Sequence, residues 1–349
     1  MRTLLGFTLL CAVLARSVPA SAASQIPLVV GLTTVSAVST PAGDYETLEV
    51  VADIGHDSFK LVRSGEAADD SGQIREITVA RVVRFEDLRS ARTLRSYFHE
   101  SEPPEFPGTS PLATGVMVND LRAGGRTMVT YLDVEPALGM TVVSRELQGT
   151  LTRVGPGPVD VPMLVNGRRE TLRAWHVTGR LVDGADGDDF EFYILDDPEN
   201  PQRLRSKGPG FSSSVLRIEF PEPKDAVTSL ERSLAEQRHA LVYGIYFTFN
   251  HADIRSASER TLRQIATALK NNPEWKLSIV GHTDNVGGDA ANLDLSRRRA
   301  QAVKAALVER YGIAAQRLTA NGYGASQPQE KNDTPEGRAR NRRVELTRQ

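Results

Sequence analysis

The sequence predicts an α+β protein: a β-rich N-terminal region, a linker helix and a C-terminal βαβαββ α/β sandwich. Three observations carry this. From about Gln25 to Pro223, short β-branched or alternating stretches are broken by Gly, Pro and Asp. Over 224–241 the apolar period lengthens to that of a helix. From 242 to 349, strand-like and helix-like segments alternate, as in a compact α/β unit.

Residues 1–22 read as a secretory signal. Arg2 supplies the positive start, and Leu4 to Leu14 is an apolar run too short to span a bilayer comfortably. Ala20-Ser21-Ala22 then offers a small-x-small cleavage site, so the mature chain is expected to begin near Ala23; an uncleaved membrane anchor is the alternative. The single cysteine, Cys11, lies inside the apolar run. The exported chain would then carry no disulfide and rely on its hydrophobic cores.

In the 25–223 region, "REITVARVVRF" (75–85), "RTMVTYLDV" (126–134), "MTVVSREL" (140–147), "ETLRAWHVTGRL" (170–181) and "DFEFYILDD" (189–197) read as strands. The Gly/Pro-rich stretch at 153–162 is where a break between sub-domains is expected. A membrane barrel competes with a soluble β domain here, but aromatic content is only 6% and charge interrupts the segments.

In the linker helix, Val227, Leu230, Leu234 and Leu241 form a helical stripe after Pro221 and Pro223. "GIYFTFN" (244–250) reads as the first strand of the C-terminal domain. The next helix is capped by Ser256 or Ser258, buries Leu262, Ile265, Ala266 and Leu269, and stops at Asn272-Pro273. "KLSIVGH" is a strand, Asn292 to Tyr311 a helix, and "RLTANGYG" and "RRVELTR" two short strands.

Formal net charge is −2, which gives no argument for nucleic acid. It is unevenly spread. Leu241 to Gln349 carries 17 Lys and Arg against 11 Asp and Glu, and the remainder 25 against 33. A basic C-terminal third suits an anionic partner.

The segment "GHTDNVGGDAANLDLSRRRAQAV" (281–303) holds an acid and three consecutive arginines. At 100° per residue, with Arg299 at zero, Leu295 lies near −40°, Ala306 near −20° and Val303 near +40°. Arg299 is thus predicted in the middle of the apolar stripe, Arg298 on its flank and Arg297 toward solvent. A guanidinium facing a core needs a carboxylate, from the protein or from a ligand. Asp284 follows "KLSIVGH" directly, at the strand end where α/β sheets tend to bind ligands. Gly281, Gly287 and Gly288 can turn backbone N–H groups toward an anion. Two readings stay open: an Asp284–Arg299 salt bridge, or a site gripping a zwitterion, ammonium on the acid and carboxylate on the arginine.

Four separated motifs, "IYFTFNHADIRSAS", "GHTDNVGGDAANLDLSRRRAQAV", "LTANGYGASQP" and "NDTPEGRARNRRVEL", occur in order over roughly Val242 to Thr347. This last third of the chain resembles the OmpA-like peptidoglycan-binding domain, the family of OmpA, the peptidoglycan-associated lipoprotein and MotB. The resemblance implies non-covalent binding of the diaminopimelate stem of the wall, with Asp284 and Arg299 as the ligand-gripping pair. It places Asn292 and the backbone around Val286 where they help hold the carboxylate, and Arg343 in support. Many members carry acids in the first strand where this chain has Thr248 and Asn250; both can still hydrogen-bond, with less negative charge for the ammonium.

The expected function is that of an exported envelope protein, periplasmic or outer-membrane-associated. It would hold peptidoglycan, need no cofactor, and present residues 25–223 to an envelope partner. The alternatives are a wall-targeted enzyme with its activity in the N-terminal region, or a barrel protein. No Gly-x-Ser-x-Gly or His-Glu-x-x-His motif appears, and no enzyme is expected. His282 reads as strand-end packing. "DGADGDD" (183–189) reads as a solvated turn lacking the twelfth-position acid of a calcium loop. Trp175, His176 and Trp275 read as core or surface residues rather than ligands.

Overall fold

A computed structural model of the chain describes residues 26–41, 43–68, 74–95, 103–137, 140–221, 229–248 and 250–349. The expected signal segment and positions 224–228 of the expected linker helix lie outside the described residues.

The N-terminal region runs β1 (Thr33–Thr40), β2 (Gly43–Ile54), β3 (Ser58–Ala68), β4 (Ile74–Arg84), α1 (Phe85–Ser90), β5 (Thr93–Leu94), β6 (Thr109–Ser110) and α2 (Gly115–Gly124). It continues with β7 (Arg126–Ala137), β8 (Met140–Arg153), β9 (Val159–Val165), β10 (Arg168–Asp183), β11 (Asp186–Leu195), β12 (Arg203–Gly208) and β13 (Phe211–Glu219). Among the described residues these strands form one sheet, in the order β4-β3-β2-β1-β13-β12-β11-β10-β8-β7-β5-β6, with β9 pairing β10 and β13. The sheet curls until its ends meet. Val82 N of β4 donates to Pro104 O at 2.6 Å, and Arg81 Nη2 donates to Thr109 Oγ1 of β6 at 3.1 Å.

The five sequence-predicted strands all form. The break expected at 153–162 does not. β8 and β9 both pair with β10, through Arg153–Val177 and Val159–Ala174, so the Gly/Pro stretch is a turn inside one sheet. The stronger punctuation is Asn166-Gly167, whose φ values of 46° and 74° close the β9–β10 hairpin. Left-handed geometry at both turn residues matches the twist of the flanking strands, and Asn-Gly is the pair that adopts it most readily. "DGADGDD" is the β10–β11 hairpin end, with Asp183 opposite Asp186.

Two apolar clusters fill the sheet's interior. One gathers Phe59, Leu61, Met163 and Leu172; the other gathers Met117, Leu147, Trp175 and Phe192. Strand β10 feeds both, because Ala174 and Trp175 are buried in succession. A fully buried Leu, Phe or Met of these clusters contributes about 1.5–3 kcal/mol by leaving water. Exposed positions of β10 include Arg168, Arg169, Glu170, Thr178, Arg180 and Asp183, where a lipid-facing strand would carry apolar residues.

The C-terminal part runs α3 (Ser229–Glu236), β14 (His239–Val242), α4 (Glu259–Asn271), β15 (Leu277–His282), α5 (Asp289–Glu309), β16 (Leu318–Gly324), α6 (Pro335–Asn341) and β17 (Val344–Arg348). Its sheet order is β14-β17-β15-β16, with β15 and β16 parallel and the other pairs antiparallel. The βαβαββ order holds, with α6 inserted before the last strand. Leu262, Ile265 and Leu269 of α4 and Val303 and Leu307 of α5 pack with Leu277, Ile279 and Leu346 of the sheet.

Two boundaries differ from expectation. The helix predicted to run to 241 stops at Glu236, since Arg238 is left-handed (φ 57°) and His239–Val242 pairs with β17. "GIYFTFN" is not the first strand. Its backbone groups bond locally instead: Arg255 N to Tyr246 O at 3.0 Å and Thr248 N to Asp253 O at 3.0 Å. The segment therefore curls into a loop that a single Phe247–Ile254 bridge closes. Ser258 occupies the N-cap of α4, but its hydroxyl bonds the backbone of Tyr246 in place of the helix end.

Helix α5 lies unusually close to β15 and β16. A Cβ on Gly281 would fall 2.3 Å from Ser296 O, and one on Gly322 would fall 2.4 Å from Arg297 N. Gly281 was expected to turn its N–H toward an anion; it is instead a strand residue that admits the helix. That close approach brings the first turns of α5 beside the strand end carrying Asp284.

The two parts share a small apolar cluster: Val35, Ala37, Leu48 and Leu216 from the sheet, Tyr246 and Ala339 from the C-terminal domain. Polar contacts frame it. Arg217 donates to the Tyr246 hydroxyl and to Tyr243 O (3.1 Å), and Ser256 Oγ donates to Glu76 at 3.0 Å.

Candidate functional site

Asp284 and Arg299 line the same cavity, of about 480 Å³. Its walls come from the β15 end (Gly281–Asp284), the start of α5, the 245–255 loop, the α6–β17 junction and residues 44–46 of β2. It therefore lies on the seam between the two parts of the chain.

Asp284 is buried at the floor. Its Oδ1 accepts from Val286 N at 3.0 Å, fixing the turn that follows, and its Oδ2 accepts from Arg342 Nη1 at 2.7 Å. Arg342 Nη2 reaches Glu46 Oε1 of β2 at 3.2 Å. One guanidinium thus spans two carboxylates. Burial works against its charge, but Glu46 and Asp284 outweigh that and hold its pKa above the ordinary value. Asp44 makes a second such link, to Arg338 at 2.6 Å.

Arg299 is half-buried. Its Nε donates to His251 O at 3.0 Å, and the guanidinium sits 4.9 Å from the Phe247 ring centroid. The buried face of α5, with Asn292, Leu295, Ser296, Ala300, Val303, Ala306 and Leu307, is centred about 30° round the helix from it. Arg299 thus lies within the buried arc, to one side of its centre. Of the two readings left open by the sequence, the direct Asp284–Arg299 bridge is not what engages Asp284: its ion pair is with Arg342. Arg298 pairs with Asp294 one turn back, and Arg297 is exposed.

Asn292 is buried and donates from Nδ2 to Val286 O at 3.1 Å, so it shapes the loop, while the Val286 side chain is exposed on the rim. Arg343 is buried and held by Glu345 (2.6 Å) and Gln327 O (3.0 Å). Its guanidinium braces the β17 start. Thr248 is set apart from the cavity lining, with its backbone in the 248–253 turn; Asn250 of the same turn does reach the lining.

His282 also lines the cavity and has no exposed side-chain surface. Burial, then repulsion by Arg343, push its pKa down to about 4 against the pull of Glu345. Its ring nitrogens and the Thr283 hydroxyl are buried without a hydrogen-bond partner among the described residues. Among those residues no group of three or more His, Cys, Asp or Glu is placed to hold a metal ion.

The residues that sequence reasoning passed over are Arg342, Arg255, Asp44 and Glu46. Arg342 adjoins Arg343 in "NRRVEL", one of the motifs already singled out, and both line the cavity, so a signal existed. Arg255 is 5% exposed, lines the cavity, and stands 3.6 Å from Glu76. Asp44 and Glu46 carry no local signal, because they arrive from the other end of the chain.

The fold and cavity define a small α/β domain with a cleft holding acid and base at separate points. It is an OmpA-family domain: the OmpA family model matches residues 246–342. The chain is 44% identical over 101 residues to outer membrane porin F of Pseudomonas aeruginosa, covering 29% of each protein. It is 40% identical over 102 residues to the peptidoglycan-binding protein ArfA of Mycobacterium tuberculosis, covering 29% of this chain and 31% of that one. The crystal structure of the peptidoglycan-associated lipoprotein from Burkholderia pseudomallei is 31% identical, with 30% of this chain and 88% of that one covered and a TM-score of 0.28. The chain spans 29% to 47% of the length of the first curated relatives it matches.

Proposed function

We propose that the C-terminal domain binds peptidoglycan non-covalently, taking the zwitterionic end of diaminopimelate between Asp284 and Arg299. In this reading the chain is an exported envelope protein whose C-terminal domain tethers the N-terminal sheet to the cell wall. The observation that carries it is the shared cavity. Asp284 sits on the Arg342 side and Arg299 on the 245–255 loop side, both lining one cleft that can admit a small ligand. An ammonium beside the carboxylate and a carboxylate beside the guanidinium would each form charge-assisted hydrogen bonds. Asn292, by holding Val286 O, keeps the loop in place, and Arg343 braces the wall behind it. The N-terminal sheet is left to meet an envelope partner.

The test is co-sedimentation with purified diaminopimelate-containing peptidoglycan. Asp284→Ala and Arg299→Ala should each leave the protein in the supernatant, with circular dichroism unchanged. Wall material with lysine in place of diaminopimelate lacks the distal carboxylate and should pellet less protein. If both variants pellet like the parent, the cavity is not the wall-binding site.

A further inference from the structure

The cavity is built by both parts of the chain. Of the carboxylates that line it, Asp44 and Glu46 come from β2 of the N-terminal sheet and Asp284 from the C-terminal domain. We infer that Glu46 is a specificity-determining residue of this site, standing beside Asp284 to receive the ligand's ammonium, so that the N-terminal sheet forms part of the binding site.

The geometry is specific. Arg342 holds Asp284 Oδ2 through one terminal nitrogen and Glu46 Oε1 through the other, which sets the two carboxylates side by side against one planar fork. Each carboxylate has further acceptor capacity, since an ionised carboxylate offers about four lone-pair sites. Their side chains are 13% and 12% exposed, so a cation placed there is poorly screened. Two carboxylates face the one Arg342 guanidinium, with Arg217 also within electrostatic reach of Glu46, and an ammonium set between them would meet their remaining lone pairs.

Independent groups point to a ligand in the same cavity. Arg255 Nη2, both ring nitrogens of His282 and Thr283 Oγ1 are buried without a hydrogen-bond partner among the described residues, and all three side chains line it. Buried polar groups are normally satisfied, so such groups around one cleft mark where a polar molecule sits. Arg299 is bonded to the 245–255 loop at His251 O, and Arg255, the last residue of that loop, stands beside Glu76. The cleft is bipolar, and its acidic end is shared between the domains.

This rests on the proposed cell-wall reading, and the experiment separates the two. The probes are the tripeptide L-Ala-γ-D-Glu-meso-diaminopimelate with its distal amine free, and the same peptide acetylated on that amine. Binding to the full mature chain is measured by calorimetry. The parent should prefer the free amine. Glu46→Gln should weaken the free-amine peptide about tenfold, the scale of one charge-assisted hydrogen bond, while moving the acetylated one less than about twofold. Glu46→Asp, which keeps the charge, should recover part of the loss and guards against a variant that fails to fold. Unchanged or tighter binding of the free-amine peptide by Glu46→Gln would overturn the inference; tighter binding would mean that β2 covers the site. With Asp284→Ala still inactive, that outcome would leave the cell-wall reading standing. If the parent binds neither peptide, or Asp284→Ala binds like the parent, the cell-wall reading fails and this inference falls with it.

Discussion

His282 makes the stability of the C-terminal domain depend on pH in a calculable way. Its ring is fully buried at the end of β15, next to Arg343 and 3.6 Å from Glu345, and its pKa is pushed down to about 4. An unfolded histidine titrates near 6.5. Between those values the unfolded chain binds the proton and the folded one does not, so stability is full above about pH 6.5 and drains away as pH falls toward 4. The linkage relation gives a loss of about 2 kcal/mol between pH 7 and pH 5 from this one group. In a thermal melt of a domain of about 100 residues that is a fall of roughly 8–16 °C. The comparison protein is His282→Gln, which is less stable overall but carries no titrating ring. The readout is the difference in slope of Tm against pH between the two proteins, from pH 7 to pH 5, above the range where most carboxylates protonate. Equal slopes would mean that the ring accepts a proton as easily in the fold as out of it, contrary to its burial beside Arg343.

Three further outcomes are expected. Gly281→Ala places a methyl 2.3 Å from Ser296 O, forcing α5 away from the sheet, and should cost about 1–3 kcal/mol in chemical denaturation while also weakening wall binding. Arg217→Met removes the charge that meets Glu219 and the Tyr246 hydroxyl at the domain seam; Glu219 keeps access to water but the Tyr246 hydroxyl is left buried, so a loss of about 1–3 kcal/mol is expected, read as a lower urea midpoint. Arg297→Ala, on the exposed face of α5, should pellet with peptidoglycan as the parent does and melt within about 0.5 kcal/mol of it.

Much of the C-terminal domain was legible because its signals are local. The period of α4 named its buried face correctly, and the 284–299 spacing found two residues that share one cavity. What failed was local reading of partners. "GIYFTFN" has strand composition, yet Tyr246 N and O are taken by Ser258, so no ladder forms. The helical wheel placed Arg299 within about 30° of the centre of the buried face and named Leu295, Val303 and Ala306 on it, but it passed over Ser296, which lies against Gly281 and Gly322. The acidic wall from Asp44 and Glu46 was invisible for a different reason. No periodicity or turn chemistry near residue 45 reports a contact with residue 342.

The links from Asp44 to Arg338 and from Glu46 to Arg342 join positions 294 and 296 residues apart. A chain made from its N-terminus completes β1 and β2 early and α6 almost last. The sheet therefore presents two carboxylates long before their arginines exist, and loop closure across nearly the whole polypeptide is required before they meet. The cavity's acidic end is then among the last features to mature. A chain cut short before residue 338 could finish its sheet and still never possess the completed cleft.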